Sequence, residues 1–398
     1  MVREGLGAGN GAVAEERLGR PVARGRECPG LVAGLLPGWA EQPPTKAPYR
    51  LGVLPGEGVG PEVVGATLDV LDAVADSHGL AFDMQPAAPL PRPGPYGPEL
   101  TAELARFFAS TFAARGAVLC GPVSGRFVYD LRVRFDLFCK LVPLLPHPAL
   151  VDASIVRPER ARGVDVLLVR DNVGGLYTGD FGRADGGRIA YQRVVYTAEQ
   201  VDRVVSVAAR AAAARRGRLA VITKRGGVPE ISRLWWERAA EAAAETGVAV
   251  EQVDVDNACF QIVADPQRFD VVAAPNLLGD IVADVAALLL VSRGMSFSGN
   301  FGADGLAVYQ TGHGAAYDLA GTGRANPVAQ ILTLAFLLRE SLGLDAAARA
   351  VERAVDDVLA SGYRTPDVAS SESTVVGTRE LGARIAAAVS EPDRLPTG

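Results

Sequence analysis

Lysine is scarce in this chain of 398 residues. Of the 40 lysine and arginine side chains, only Lys46, Lys140 and Lys224 are lysines, so each becomes a candidate for a specific role. An excess of positive charge is also missing, because the formal net charge is −6. This balance excludes the basic surface that nucleic-acid-binding proteins use, and we expect no nucleic-acid partner.

Cysteines and long apolar runs are equally sparse. Cys28, Cys120, Cys139 and Cys259 show no CxxC spacing, and three of them stand in apolar segments. We therefore expect reduced thiols and a cytoplasmic protein. No apolar run in the sequence is long enough to span a bilayer, and GLVAGLL near residue 30 is a poor signal-peptide core because acidic residues precede it. No membrane partner is expected.

Strand and helix patterns alternate from Tyr49 onward. YRLGVLPG at 49–56 indicates a strand and a Gly-rich turn, and an amphipathic helix pattern follows it. Later buried-strand patterns include VDVLLVR at 164–170 and GRLAVITK at 217–224. This alternation predicts an α/β protein with a largely parallel core. Residues 1–48 have no periodicity and are rich in Gly, Ala, Arg and Pro, which predicts a disordered extension.

The segment GDIVAD at 279–284 carries two carboxylates four residues apart, at the start of an apolar helix pattern. On a helix, Asp280 and Asp284 would share a face, which suits a hard divalent cation. Asp256 is the candidate for a third ligand. From spacing alone, a pair of solvated surface acids is an equally good interpretation.

Predicted strand ends would bring Arg170, Lys224, Asp256 and Asp280 to one edge of the sheet, where open α/β sheets place their ligands. A cation, a proton-carrying lysine and a carboxylate cluster suit metal-assisted chemistry on a small anionic substrate. Four unrelated loop charges are the alternative. Because four such placements occur together, a site is favoured.

Several longer motifs add to this pattern. From about Tyr49 to Ala388 the chain resembles the isocitrate/isopropylmalate dehydrogenase family of β-decarboxylating dehydrogenases, which also acts on homoisocitrate, tartrate and D-malate. The motifs that carry the resemblance are LPGEGVGPEV (54–63), LRVRFDLF (131–138), VRDNVGGLYTG (169–179), NLLGDIVAD (276–284), HGAAYDLAGTGRANPVA (313–329) and GYRTPD (362–367).

The resemblance implies roles for individual side chains. It implies Mg²⁺ or Mn²⁺ on Asp256, Asp280 and Asp284, and NAD as the cofactor. It implies substrate carboxylates on Arg132 and Arg170, and an acid–base pair formed by Tyr177 and Lys224. The implied cofactor-binding residues are His313, Gly314, Asp318 and Asn326, with Asp318 accepting hydrogen bonds from ribose hydroxyls. Lys224 and Asp256 would serve the neighbouring subunit of a homodimer.

The resemblance also implies the architecture. We expect an isocitrate/isopropylmalate dehydrogenase-like α/β fold, in which two domains surround a mixed, largely parallel sheet with the site in the cleft between them. Residues 49–137 and 292–398 would form a large cofactor-binding domain. Residues 138–291 would form a small domain with the metal site and the dimer interface, and residues 1–48 would be the disordered extension.

Departures from the family pattern concern the substrate. Val142 stands where the family keeps a third arginine, while Lys140 lies two residues before it and Arg126 stands where isocitrate dehydrogenases keep a serine. Gly226 and Tyr317 replace an asparagine and a proline of the pattern. We therefore expect Arg126 and Lys140 to bind substrate as well.

The expected function is NAD-dependent oxidative decarboxylation of a 3-substituted malate with an unusual substituent, such as an aromatic or extended anionic arm lying against Arg126 and Tyr129. The alternatives are an ordinary isopropylmalate, isocitrate, homoisocitrate or tartrate/D-malate dehydrogenase, a non-catalytic regulatory subunit, and a metal-dependent enzyme without redox chemistry. Retention of Tyr177, Lys224 and the three aspartates argues against the regulatory subunit.

Overall fold

The first predicted strand, Tyr49–Leu54, belongs to a large mixed sheet at the centre of the protein. The computed structural model describes residues 32–42, 44–91, 94 and 96–390. Within these residues the strands, in chain order, are β1 (Tyr49–Leu54), β2 (Phe82–Pro86), β3 (Ala117–Cys120), β4 (Cys139–Leu144), β5 (Val166–Asp171), β6 (Phe181–Ala184), β7 (Ile189–Gln192), β8 (Arg218–Thr223), β9 (Ala249–Asp254), β10 (Val271–Ala274), β11 (Phe297–Phe301), β12 (Ala307–Thr311), β13 (Tyr363–Arg364) and β14 (Thr374–Val375).

Helices connect most of these strands. In the same residues they are α1 (Gly60–His78), α2 (Ala102–Ala113), α3 (Arg126–Arg134), α4 (Pro158–Ala161), α5 (Ala198–Ala214), α6 (Pro229–Thr246), α7 (Val255–Ala264), α8 (Asn276–Ala286), α9 (Val328–Glu340), α10 (Asp345–Ala360) and α11 (Thr378–Ser390). The bounds of α1 follow from its sequence. Pro61 occupies the first turn, where a missing N–H is harmless, and Gly79 ends the helix with a left-handed φ of 62°.

The ten strands of the main sheet have the order β2-β1-β3-β12-β11-β4-β5-β10-β8-β9 among the described residues. The strand β4 is antiparallel to both of its neighbours, and β11 is antiparallel to β12. The remaining pairs are parallel. The prediction of an α/β fold with a mixed, largely parallel sheet is therefore confirmed.

The predicted domain boundaries coincide with the middle of this sheet. Strands from 49–137 and 292–398 form the half β2-β1-β3-β12-β11, and strands from 138–291 form the half β4-β5-β10-β8-β9. The halves join where β11 pairs with β4, with Asn300 opposite Lys140. One continuous sheet therefore crosses the boundary, and the division into two domains stays a prediction.

The ordered part of the chain begins before Tyr49. Val32, Leu35, Leu36 and Trp39 are at most 7% exposed, and the Trp39 indole N–H donates to the Gly302 carbonyl over 2.9 Å. The expectation that residues up to 48 are disordered is therefore wrong for 32–42, because four apolar side chains there reach the core. Residues 1–31 lie outside the described residues.

The interior is built mainly from aliphatic side chains of the strands and of the helices packed on them, among them α1, α5, α9 and α10. Among the described helices, none combines the length and apolar character needed to cross a membrane. Cys120 and Cys139 are buried free thiols, and Cys259 is a half-buried one. Cys28 lies outside the described residues.

Candidate active site

Four parallel strands end at one edge of the sheet, and the chain supplies charged side chains just beyond them. These strands are neighbours in the order β5-β10-β8-β9. Arg170 is the penultimate residue of β5, and Lys224 directly follows β8. Asp256 and Asp280 project from α7 and α8 rather than from the strand ends predicted above, because each helix begins within two residues of its strand.

Arg170 is the centre of a buried hydrogen-bond network. Its guanidinium is paired with the carboxylate of Asp280, and it also donates to Asn276 Oδ1 over 2.8 Å. The hydroxyl of Tyr177 donates to the second oxygen of Asp280 over 2.8 Å. Since Arg170 is only 2% exposed, this pairing satisfies a charge that would be costly to bury alone. Three of the predicted site residues thus lie in one network.

Two further cationic side chains lie close to this network. Arg132 on α3 and Lys140 on β4 are 5% and 7% exposed, and Lys140 lies directly opposite Arg170 in the β4–β5 register. Burial and then the charge of Arg170 lower the pKa of Arg132 to about 10. Burial, followed by the charges of Arg132 and Arg170, lowers the pKa of Lys140 well below its usual value.

These cations have unused hydrogen-bonding capacity. Among the described residues, the buried Nε atoms of Arg132 and Arg170 lack a hydrogen-bond partner, and the amine of Lys140 makes neither a hydrogen bond nor an ion pair. Buried polar and charged groups are normally paired. A cluster of three cations with free donors is therefore suited to bind an anion, as a substrate carboxylate would be.

Asp280 and Asp284 lie four residues apart on α8, as the spacing predicts. Burial would raise the pKa of Asp280, but Arg170 and the Tyr177 hydroxyl outweigh it and the pKa is lowered. The pKa of Asp284 is raised by burial, with the charge of Asp280 adding to the shift and Arg293, 3.0 Å away, opposing it. Two neighbouring carboxylates that disfavour each other's charge are a fitting donor set for a divalent cation.

Tyr177 keeps its proton in this environment. Burial, followed by the charge of Asp280 and the hydrogen bond to it, raises the pKa of the phenol above its usual value. A tyrosine that remains protonated beside the cation cluster carries a proton that it can donate, and the acid role implied by the family resemblance stays a prediction.

Lys224 and Asp256 form a separate pair. The ammonium and the carboxylate are 2.6 Å apart, and their side chains are 41% and 68% exposed. The described residues contain no group of three acidic, histidine or cysteine side chains able to hold a metal. Asp256 therefore does not join Asp280 and Asp284 within one chain, and its carboxylate is instead paired with Lys224.

The pKa of Lys224 also differs from expectation. A lysine that relays a hydroxyl proton needs a lowered pKa. The hydrogen bond that Lys224 donates to Asp256 instead raises the pKa of Lys224, and burial opposes this shift without reversing it. In the single chain, Lys224 is a protonated, exposed side chain.

Arg126 lies beside Tyr129 and Tyr177, and its role in substrate binding stays a prediction. Its guanidinium donates to the Tyr177 carbonyl over 2.8 Å and to Asp130 over 3.0 Å. It lies 5.6 Å from the ring centre of Tyr129 and 5.3 Å from that of Phe181. Arg126 is therefore beside the buried network, but it is already paired with a carboxylate.

The predicted cofactor residues lie in or beside the loop 312–327 between β12 and α9. This loop packs closely on the loop after β1, where Val59 N–H donates to the Ala315 carbonyl over 2.9 Å. Gly58 has a φ of +57°, and a Cβ there would lie 1.9 Å from that carbonyl oxygen, so glycine is required. Asn326 is buried and donates to Asp367 over 3.2 Å.

The outer part of this loop offers groups that fit a nucleotide. Asp318 is exposed and makes no hydrogen bond or ion pair with a described residue, so its oxygens can accept from hydroxyl groups. Gly314 is exposed, and burial lowers the pKa of His313, so its imidazole is neutral near pH 7. The donor set therefore fits the ribose and base of NAD.

Sequence reasoning missed two positioning residues. The side-chain oxygen Oδ1 of Asn276 accepts a hydrogen bond from Arg170, and the side-chain Nδ2 of Asn276 donates to the Gly174 carbonyl over 3.1 Å. Glu62 in the first turn of α1 accepts from the backbone N–H groups of Gly321 and Gly323. The signal for Asn276 is its position directly after a buried strand. No sequence signal links Glu62 to a loop some 260 residues away.

The fold and this site together define an α/β protein in which a buried cluster of cations lies beside a carboxylate pair and a protonated tyrosine. The sequence model of the isocitrate/isopropylmalate dehydrogenase family matches residues 50–385. The chain belongs to the isocitrate/isopropylmalate dehydrogenase family, and it is an NAD-dependent decarboxylating dehydrogenase.

Individual relatives agree with this assignment. The chain is 39% identical over 374 residues to a 3-isopropylmalate dehydrogenase of Synechococcus sp. (strain JA-3-3Ab), which covers 88% of this chain and 96% of that protein. It is 39% identical over 362 residues to a 3-isopropylmalate dehydrogenase of Gloeobacter violaceus, covering 85% and 98%. The crystal structure of isocitrate dehydrogenase from Methylococcus capsulatus superimposes with a TM-score of 0.75 at 28% identity, covering 86% of this chain and all of that one.

Proposed function

We propose that the protein oxidatively decarboxylates a 3-substituted malate that differs from the common substrates of its family. The altered cation set is the observation that carries this proposal. Val142, where the family pattern has an arginine, is 2% exposed and faces Leu168 in the β4–β5 register. Lys140 instead brings an amine next to Arg132 and Arg170. The substrate carboxylates are therefore held from a different direction.

The proposed metal site consists of Asp280 and Asp284, with Asp256 contributed by a second subunit. The carboxylate pair on α8 fits Mg²⁺ or Mn²⁺, since both prefer oxygen ligands. When bound, the cation acts as a Lewis acid toward substrate oxygens.

The proposed NAD site is the loop 312–327, with His313, Gly314, Asp318 and Asn326 as its binding residues. When bound, NAD accepts the hydride from C2 of the substrate. Asp318 would favour NAD over NADP by at least about tenfold, because its carboxylate accepts from ribose hydroxyls but repels a 2′-phosphate, a clash worth about 1–3 kcal/mol. Substituting Asp318→Asn should reduce the measured NAD/NADP ratio of kcat/KM, whereas a wild-type preference for NADP would refute the assignment.

The side chains then handle the protons. Lys224 of one subunit, as the neutral amine after its own proton has gone to solvent, takes the proton of the 2-hydroxyl as the C2 hydride leaves, which produces a 2-oxo acid. The bond from C3 to its carboxylate breaks, CO₂ leaves, and the electron pair remains on C3. Tyr177, kept protonated by burial and by Asp280, donates its proton to C3. Arg132, Arg170 and Lys140 hold the substrate carboxylates until CO₂ leaves, and they retain the carboxylate that remains.

A homodimer with shared sites is supported by the separate pairing of the two clusters. Lys224 and Asp256 are exposed and, among the described residues, are paired with each other rather than with Asp280, so they are free to reach the site of a second copy. Exposed apolar side chains on α7 and α8, Phe260 at 67% and Ile281 at 45%, support an interface there. We infer a cytoplasmic enzyme from its free thiols.

The test is NADH formation with a panel of malates in the presence of Mg²⁺. An ordinary isopropylmalate or isocitrate dehydrogenase is the rival function, and it fits the names of the relatives. A kcat/KM above about 10⁴ M⁻¹s⁻¹ on isopropylmalate, isocitrate, homoisocitrate or D-malate would establish that rival. Absence of turnover with every malate would favour a regulatory subunit.

The substitution Val142→Arg distinguishes the two functions further. If Lys140 has taken over the anchoring role, the new guanidinium adds a buried, unpaired cation and activity on the native substrate falls. If Val142 is a neutral change, the variant gains activity on ordinary malates, because a charge-assisted hydrogen bond contributes about 1.5–3 kcal/mol.

A further inference from the structure

An aromatic surface extends from the buried network to the solvent. We call it the aromatic wall, and it consists of Tyr96, Arg126, Tyr129, Tyr177 and Phe181. The Tyr129 and Tyr177 ring centres are 4.8 Å apart, and Tyr96 meets Phe181 edge-on with ring centres 6.2 Å apart. The planar guanidinium of Arg126 lies between Tyr129 and Phe181, within 6 Å of both rings.

Rigid backbone contacts place these side chains. The Arg126 N–H donates to the Tyr96 carbonyl over 2.8 Å, which ties the 96–98 turn to the start of α3. Gly125, with a φ of +73°, allows this approach, because a Cβ there would lie 2.4 Å from the same carbonyl oxygen. Arg126 also donates to the Tyr177 carbonyl. Three separate segments therefore hold one another in position.

The wall begins at the reacting groups. Tyr177 donates to Asp280, and the Arg132 guanidinium lies 5.8 Å from the Tyr129 ring. At the other end, Tyr96 is 66% and Phe181 is 43% exposed. A substrate whose carboxylates lie on Arg132 and Arg170 would therefore extend a C3 substituent along Tyr129 toward Phe181.

The charge of the wall argues against an anionic substituent. Arg126 is the cation of the wall. Asp130, 3.0 Å away, neutralises its charge, and the Arg126 guanidinium also donates a hydrogen bond to the Tyr177 carbonyl. An anionic arm would compete with Asp130, whereas an aromatic arm needs no new charge partner. Aromatic rings prefer neighbours at centroid distances of 4.5–7 Å, the spacing that already exists within the wall.

We propose that the substrate is a malate with an uncharged aromatic arm of about benzyl size on C3, and that Tyr129 and Phe181 select it. This inference rests on the proposed function. The reaction is unchanged: C2 loses a hydride to NAD, its hydroxyl loses a proton, C3 loses CO₂ and gains a proton. The arm itself takes no part in bond making or breaking.

The first experiment measures binding without NAD. The dissociation constants of 3-benzylmalate, 3-isopropylmalate and isocitrate are determined by calorimetry with the full chain and Mg²⁺. We expect 3-benzylmalate to bind at least about tenfold more tightly than the other two, corresponding to about 1.4 kcal/mol. The kcat/KM values for NADH formation should follow the same order.

Matched variants connect the preference to the wall. Tyr129→Leu and Phe181→Leu keep an apolar side chain but remove the ring, and each should lower the benzyl-to-isopropyl ratio of kcat/KM by about three- to tenfold. The control is Tyr191→Leu. Tyr191 is 47% exposed on the same β6–β7 hairpin, but it pairs with Gly182, one register step from Phe181, and therefore faces the opposite side. This control should leave the ratio unchanged.

The outcomes separate the inference from the function on which it rests. Turnover of isopropylmalate or isocitrate at equal or greater efficiency than 3-benzylmalate overturns the aromatic arm and leaves the dehydrogenase function intact. An unchanged ratio in both ring variants overturns the role of Tyr129 and Phe181. Absence of both binding and turnover with every malate overturns the proposed function, and this inference with it.

Discussion

Two charged regions lie just beyond the C-terminal ends of neighbouring strands. They differ in burial, in hydrogen-bond partners and in the direction in which the pKa of their lysine shifts. At β5 and β10, Arg170 and Asp280 are tied to Tyr177 in a largely buried network. At β8 and β9, Lys224 and Asp256 form one exposed ion pair. Adjacent strands are about 4.8 Å apart. β8 lies directly beside β10 and β9 lies one strand further, so the two regions are neighbours that differ in their burial and in their partners.

The difference shows what each region lacks. The buried network has spare cationic donors on Arg132 and Lys140 and needs an anion. The exposed pair has a proton carrier whose pKa is raised by Asp256, so it needs a partner for that carboxylate before Lys224 can act. A second subunit that places the exposed pair over the buried network would meet both needs.

The largest expected effect is the loss of kcat when Lys224 of the exposed pair is replaced. Lys224→Met should reduce kcat by about 10²–10⁴-fold, the usual contribution of a general acid–base group, while metal-dependent substrate binding remains measurable by calorimetry. Lys46→Met, at an exposed position outside the site, is the control and should keep wild-type activity. A Lys224→Met enzyme with more than a few per cent of the wild-type rate would show that Lys224 is structural.

The buried network should respond differently. Lys140→Met should weaken substrate binding by about 10–100-fold, because one charge-assisted contact is lost. The same substitution should stabilise the substrate-free protein at neutral pH, since it removes a poorly solvated amine that repels Arg132 and Arg170. Calorimetry measures the expected loss of substrate binding, and thermal unfolding measures the expected gain in stability. A loss of both binding and stability would contradict the anchoring role.

Lys140 also predicts a pH dependence. Its folded pKa lies below the unfolded value, so the unfolded chain binds more protons between these two values and stability rises with pH across that interval. Lys140→Met should remove this slope from the unfolding free energy. Binding of a carboxylate should restore the ammonium, and calorimetry in buffers of different ionisation enthalpy would then detect proton uptake.

Mixing tests whether the two regions work across subunits. Tyr177→Phe and Lys224→Met proteins, each nearly inactive alone, should recover about a quarter of wild-type activity after subunit exchange, because half of the dimers then contain one intact site. Mixing either variant with itself is the control. Failure to complement, together with an active monomer in sedimentation, would contradict the shared site.

The smallest expected effect concerns the carboxylate pair. Because the pKa of Asp284 is raised, its charged carboxylate lowers the free energy of unfolding of the metal-free protein at neutral pH. This free energy is regained as the pH falls and the group is protonated. Because Asp284 is half-exposed, Asp284→Asn should raise Tm by no more than about 2–4 °C. The further stabilisation that Mg²⁺ gives the wild type should be lost, and its persistence would exclude Asp284 as a ligand.

The sequence by itself determined the family, the alternation of strands and helices, and the pairing of Asp280 with Asp284. These features depend on local periodicity and on motifs in which the residues that act together are close in the chain. The spacing of four on α8 is an example, because one helical turn places both carboxylates on one face. The position of Arg170 at the end of a buried strand follows from its hydrophobic pattern in the same way.

Which charges meet depends on the tertiary structure alone. It paired Lys224 with Asp256 rather than with Asp280, buried the amine of Lys140 beside Arg170, and paired Arg126 with Asp130 and the Tyr177 backbone. It also placed Trp39, from a stretch whose composition predicts disorder, in the core. These outcomes depend on contacts between residues far apart in the chain, and local pattern carries no information about the order in which strands pair.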